Sequence, residues 1–253
     1  MTLKSTISFS ALCFCLLLAS CKDKVEGEPC DPELSELRVS VQPVFGGQTL
    51  HLDSTYTTAE GYAVQFTDLL FIAENVTSAS GQLKDVALFD YRVTGTALFT
   101  GPGRPEDFTT FAWNLGVQSS INHSDPSAFP NESVLNISNS GGMHWGWNPG
   151  YIFMKVEAKV DTIPDGNALF DHLIVFHIGQ DVNLQTINFS NINWQQTGNL
   201  SYHFPLKLDL QKFLQNGQQT INLRNEYTSH TAPGQEVLSL KVIQNFKAAL
   251  TEF

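Results

Sequence analysis

Apolar residues along this 253-residue chain recur mainly at every second position. That is the period of a β-strand, whose successive side chains point to opposite faces. Leu37, Val39 and Val41 alternate with polar residues, and Gly46-Gly47 punctuates before Leu50 and Leu52, which predicts a hairpin. Val64, Phe66 and the run Leu69–Ala73 predict a further strand, and Asp85–Val93 another. Residues 100–107 (TGPGRPED) read as a turn region. The cleanest alternation sets Ile152, Met154, Val156, Ala158 and Val160 against Phe153, Lys155, Glu157, Lys159 and Asp161. Residues 173–178 (LIVFHI) predict a strand buried on both faces, with His177 on the parity of Leu173 and Val175. Phe204, Leu206, Leu208 and Leu210 alternate again, and Pro205 demotes that strand to an edge.

Helical spacing enters late. A short helix is predicted over Leu208–Gln215, with Gly217 in the position of a C-cap. A second runs from about Gln235 to Ala249, where Val237, Leu240, Ile243, Phe246 and Leu250 recur at spacings of three and four. No internal repeat is present. The pattern predicts an all-β chain: a β-sandwich, immunoglobulin-like or related, with a short C-terminal helix.

The first 35 residues break the pattern. Lys4 precedes an apolar stretch from Ile7 to Ala19, too short for a spanning helix and suited to the h-region of a secretory signal peptide. Leu18-Ala19-Ser20-Cys21 looks like the lipobox of a bacterial lipoprotein, in which the Cys21 thiol is lipidated and the chain is cut before it. The plainer alternative is a signal peptide with a chance cysteine. The expectation is a signal peptide over 1–20, a charged and turn-prone tether over 21–35, and one domain over 36–253. No later segment has the length of a membrane span, so the anchor is lipid and the location extracytoplasmic, at the outer membrane on its periplasmic face or the cell surface. Cys13 and Cys15 leave with the signal peptide and Cys21 carries lipid, so Cys30 has no thiol to pair with in its own chain.

Charge narrows the partners. Lys and Arg total 14 against 25 Asp and Glu, a net charge of −11, which argues against nucleic acid. Common enzyme signatures are absent: no G-x-S-x-G, P-loop, H-E-x-x-H, C-x-x-C or G-x-G-x-x-G occurs.

Residues 115–150 are poor in continuous apolar runs and rich in Asn, Ser, Pro and Gly, long for a connection inside a compact domain. His123, Asp125, Met143, His144, Trp145 and Trp147 gather there, which marks the segment as functional. Imidazole suits copper, zinc, iron and nickel. His177 reads either as a buried neutral imidazole or as a ligand, and His123 as a ligand or a turn residue. His51, His203 and His230 read as surface or rim residues, and His172 opens a strand. Trp145 and Trp147 share a parity with His144 on the other side. They plug the sandwich, offer a stacking platform to a sugar or other flat ligand, or wall a metal pocket; residue patterns leave all three open.

Three stretches carry a family resemblance. Asn122-His123-Ser124-Asp125-Pro126, then Gly142–Phe153 (GMHWGWNPGYIF) ending near Glu157, then Phe176-His177-Ile178-Gly179, resemble the MbnP-like family of periplasmic or surface copper-binding proteins. The likeness spans roughly residues 36 to 180. It implies a β-sandwich holding one copper ion, Cu(I) or Cu(II), through histidines, with His123 and His177 as first ligands and His144 as a recruit. It further implies that Trp145 or Trp147 is oxidised to kynurenine by a di-haem partner of the cytochrome c peroxidase type. Opening the indole ring creates an aromatic amine and a ketone, donors that indole lacks. In one departure, Pro43 stands where many relatives carry a further first-strand His, so the site has two His or recruits His144, His51 or Met143. The expected function is copper acquisition or handling without turnover. The competing one is a surface sandwich that binds a glycan or protein through Trp145 and Trp147; an oxidase ranks behind both.

Overall fold

The computed structural model describes residues 33–145 and 150–253. The expected signal peptide over 1–20, Cys21 and Cys30 lie outside these residues, as does Trp147. The first hairpin forms as expected: β1 (Ser35–Phe45) turns through Gly46 and Gly47, both at positive φ, into the two-residue β2 (Gln48–Thr49). Such a turn matches strand twist and needs residues that tolerate positive φ. β3 (Thr55–Thr57) precedes the sixteen-residue β4 (Ala63–Ser78), which pairs with β5 (Gly81–Asp90). β5 stops short of Val93, because Asp90 caps a helical turn, α1 (Tyr91–Thr94), by accepting from the Arg92 and Val93 amides.

Residues 100–107 are only partly a turn. Thr100–Gly103 belong to β6 (Ala97–Gly103), antiparallel to β1, and a 3-10 turn follows at Pro105–Phe108. The glycines there serve close approach: a Cβ on Gly103 would lie 2.9 Å from Leu37 and 2.8 Å from the Phe108 ring. β7 (Thr110–Leu115) leads into the long segment with α2 (Ser119–Asn122), and β8 (Ile152–Asp161) and β9 (His172–Gly179) follow as a pair. β9 is buried on one face only. Ile174, Phe176 and Ile178 point inward, whereas Leu173 is 61% exposed.

β10 (Gln185–Ser190) and β11 (Gln195–Gly198) lead to β12 (Ser201–Asp209). β12 is no edge strand: it runs parallel to β1 and meets β11 and β14 (Leu250–Glu252) on its other side. Pro205 is tolerated because it falls in the gap between them, after the β11 pairing ends at His203 and before that of β14 begins at Leu206. The next helix, α3 (Leu210–Leu214), starts where Asp209 accepts from the Gln211 and Lys212 amides; it ends at Gln215, and Gly217 opens a separate 3-10 turn. β13 (Thr228–Ser229) adds to β9 in parallel, and α4 (Glu236–Ala249) is the expected C-terminal helix.

The strands form a six-stranded sheet around β1 and β12 and an eight-stranded sheet around β4 and β8. Between them lies the main core, in which Phe71, Phe213 and Phe246 pack edge to face. The fold is an all-β sandwich with a C-terminal helix, as the alternation predicts. The buried face of α4 is rotated from the expected stripe, because two polar residues sit on it. Val237 is 83% exposed, while Ser239, Val242, Ile243, Asn245, Phe246 and Ala249 are buried. Asn245 donates to the carbonyls of Phe213 and Gln219, and Ser239 bonds Ser229, so their burial leaves no unmet polar group.

Candidate metal centre

The eight-stranded sheet turns one face to the core and the other outward. On the outward face, register sets Leu70 of β4 beside Lys155 of β8, and Lys155 beside His177 of β9. Asp68 and Glu157 face each other one row away. Lys155 Nζ reaches Asp68 at 2.7 Å and Glu157 at 3.3 Å, and His177 Nε2 lies 2.7 Å from Glu157 Oε1. Burial would raise the Glu157 carboxyl, but the bonds from His177 and Lys155 outweigh it and hold the group below its usual range. An ionised carboxylate only accepts, so Nε2 of His177 is the donor. Burial, assisted by His230 and Lys155, lowers the His177 imidazole, opposed by Glu157. The neutral ring therefore carries its proton on Nε2 and leaves the Nδ1 lone pair free of a proton.

The segment after β7 folds back over the far end of this face. There Leu70, Ile72, Val117, Leu135, Met143, Tyr151, Ile152 and Phe153 form a second apolar cluster. The Tyr151 hydroxyl donates to Leu135 O at 2.5 Å, and burial pushes it up to about 12. Met143 is fully buried in this cluster. Gly116, at φ +108, lets the backbone pass against the Phe153 ring, where a Cβ would collide.

Asn122 knits the segment to the end of β9. Its Oδ1 accepts from the Tyr151 amide at 2.8 Å, and its Nδ2 donates to Asp181 Oδ1 at 2.7 Å. Asp181 also accepts from Ser119 at 2.5 Å and bonds His123 Nε2 at 3.0 Å. Burial would raise the Asp181 carboxyl, but Ser119, Asn122 and His123 overcome that and keep it depressed and ionised. His123 therefore also presents Nε2 to a carboxylate and leaves Nδ1 as its other ring nitrogen.

Trp145 lies between these two arrangements along β9. A Cβ on Gly179 would stand 2.7 Å from the indole Cζ3, so the ring rests on Gly179, two residues from His177 and two from Asp181. His144 packs its ring edge-on against Tyr151 with centroids 4.6 Å apart, and burial lowers its imidazole. The expected site residues thus divide: His177 on Glu157, His123 on Asp181, Trp145 on Gly179, and His144 on Tyr151. Among the described residues, no three His, Cys, Asp or Glu side chains form a group that could hold a metal ion.

Residue patterns miss two participants. Nothing in the sequence marks Asp181, and His230 reads as rim; Glu157 closes the second family stretch but carries no assigned role there. His230 packs against His177 with ring centroids 4.9 Å apart and an interplanar angle of 85°. Nothing local marks it, because the contact spans 53 residues of chain. Two of the remaining histidines are occupied elsewhere: His203 Nε2 bonds Ser40 Oγ at 2.7 Å, and His172 stacks on Tyr227.

A β-sandwich whose long loop returns over one face, with histidines at the end of β9, is thereby defined, and comparison with known proteins places it. The sequence matches the MbnP family model over residues 34–233, from just before β1 to just before α4, and the chain belongs to that family. Membership suggests a methanobactin-related extracytoplasmic protein. Among solved structures, MbnP from Methylosinus trichosporium is similar at a TM-score of 0.47 and 16% identity, over 73% of this chain and 78% of that one. No curated protein matches.

Proposed function

We propose that this protein binds one copper ion outside the cytoplasm, anchored to the membrane by lipid on Cys21, and serves copper acquisition or handling without turnover. One observation carries the reading. Each of the two expected ligands, His123 and His177, gives Nε2 to a carboxylate, Asp181 and Glu157 respectively. A ligating imidazole is characteristically held this way, its second nitrogen fixed by a carboxylate that also raises its basicity. The donor chemistry fits copper, since imidazole is a good ligand for that metal and the Asp68–Lys155–Glu157 group sums to one negative charge. When bound, copper would supply the cargo or redox-active ion; the chain's own part is to fix each imidazole through Nε2, with Trp145, which falls between them in the chain, resting its indole on Gly179.

The stacking reading has less support, because the Trp145 ring already rests on the Gly179 backbone. Oxidation of Trp145 or Trp147 to kynurenine by a di-haem peroxidase-like partner belongs to the proposal. Co-expression with such a partner should add about 4 Da to the intact mass, a change of covalent composition. The copper reading is tested by anaerobic titration of the purified protein with Cu(I) against a chromophoric competitor. Wild type should take up one equivalent, and the His123→Ala, His177→Ala double variant should lose it. Equal uptake by both would remove the reading.

A further inference from the structure

The contact between His177 and His230 is the one place where two imidazoles meet, among the described residues, and it is built from an unusual backbone. His230 follows β13 in a tight turn stapled to the end of β9. Thr231 Oγ1 donates to His177 O at 3.3 Å and accepts from the Gly179 amide at 3.1 Å, and Gln180 Nε2 donates to Thr231 O at 2.9 Å. The His230 amide is held in turn by Gln235 Oε1 at 2.9 Å. Thr231 sits at φ 57 and Gln180 at φ 68, so the chain is left-handed on both sides of the staple. For a β-branched residue that conformation costs about 1–2 kcal/mol. Strain of this kind persists where surrounding bonds over-determine it, and it clusters at functional sites.

The turn sets the exposed His230 ring against the partly buried His177 ring with centroids 4.9 Å apart. Two imidazoles bound to one tetrahedral ion through bonds of about 2.0–2.1 Å have centroids about 5 Å apart, so the observed spacing suits a shared ion. Glu157 occupies Nε2 of His177 and turns its Nδ1 to the remaining side.

We propose that His230 is a copper ligand alongside His177, held in place by the Thr231 staple. This rests on the copper reading above and extends it by one donor that residue patterns assigned to the rim.

The test compares wild type, His230→Ala and His230→Phe in the same Cu(I) competition titration, with Cu(II) EPR as a second readout. His230→Phe keeps an aromatic edge against His177 but removes both nitrogens, which separates packing from ligation. Both variants should bind copper at least tenfold more weakly than wild type, and both should lose one coordinated nitrogen from the EPR superhyperfine pattern. Wild-type affinity and pattern in His230→Phe would overturn the inference while leaving the copper reading in place. A wild type that binds no copper would overturn both. Thermal melting of each variant confirms that it is folded.

Discussion

At the residue scale, the centre depends on small groups that leave room or accept a hydrogen bond. Gly179 is one, since any side chain there enters the space of the Trp145 ring and the Tyr151 carbonyl. Gly179→Ala should therefore destabilise by about 1–3 kcal/mol, the usual cost of overpacking, and red-shift tryptophan emission as the indole is displaced. Unchanged emission and melting temperature would show that Trp145 does not rest there. Asp181 is the other. It accepts from Ser119, Asn122 and His123 at once, so Asp181→Asn replaces one oxygen of that set with a donor. Loss of a carboxylate behind a ligating His costs about 10–100-fold in metal affinity. Copper titration of Asp181→Asn should show a loss in that range with one equivalent still bound; wild-type affinity would mean His123 takes no part. His123 and His177 stand out in the sequence because short motifs surround them. Asp181 does not, because its bond to His123 spans 58 residues and it lies in none of those motifs, whereas Glu157, at the end of the second motif, carries no mark of its bond to His177, 20 residues on.

At the scale of elements, alternation located the strands well where a strand keeps one face on the core. β8 is the clearest instance, and even its outward charges fall as the pattern requires. Legibility failed where a residue served a neighbour distant in the chain. Gly103 looks like a turn residue, yet it lies in a strand because Leu37 and Phe108 occupy the space a side chain would need. Pro205 looks like an edge marker, yet two short partner strands leave a gap for it. In α4, apolar spacing pointed to Val237 and Leu240, whereas the helix buries Ser239 and Asn245. Asn245 is the anchor, with its amide bonded to Phe213 O at 3.1 Å and Gln219 O at 2.7 Å. Asn245→Leu should cost about 1–3 kcal/mol, since two carbonyls lose their donor without gaining water. Urea unfolding measures it, and a neutral result would mean that apolar packing alone seats the helix.

At the scale of the whole molecule, folding stability is tied to pH through carboxyls whose acidity the fold alters. Glu226 is the cleanest: both of its oxygens meet Lys241 Nζ, at 2.8 and 2.7 Å, and it accepts from the Asn222 amide at 2.8 Å. Burial would raise this carboxyl, but the Lys241 bond, the Asn222 amide and the Lys241 charge together hold it below its usual value. A group depressed in the folded state contributes stability that is full above the unfolded glutamate value of about 4.3 and is lost as pH falls through the folded value. Glu74 works the other way. Burial and the charge of Asp85 raise it despite bonds from Asn114 and Gln118, so its contribution is full at low pH and lost as pH rises through the raised value. More groups are depressed than raised, Glu60, Glu157, Asp171 and Asp181 among them, so the net expectation is a loss of stability on the acid side. Glu226→Gln isolates one contribution. At neutral pH the variant should be less stable by up to ~1 kcal/mol, the usual worth of a partly exposed ion pair. Both chains are uncharged at that position once pH is well below the folded value, so urea midpoints taken down an acid series should converge. A gap that stays constant down the series would assign the loss to packing rather than to charge, and would leave the acid sensitivity to the remaining carboxyls.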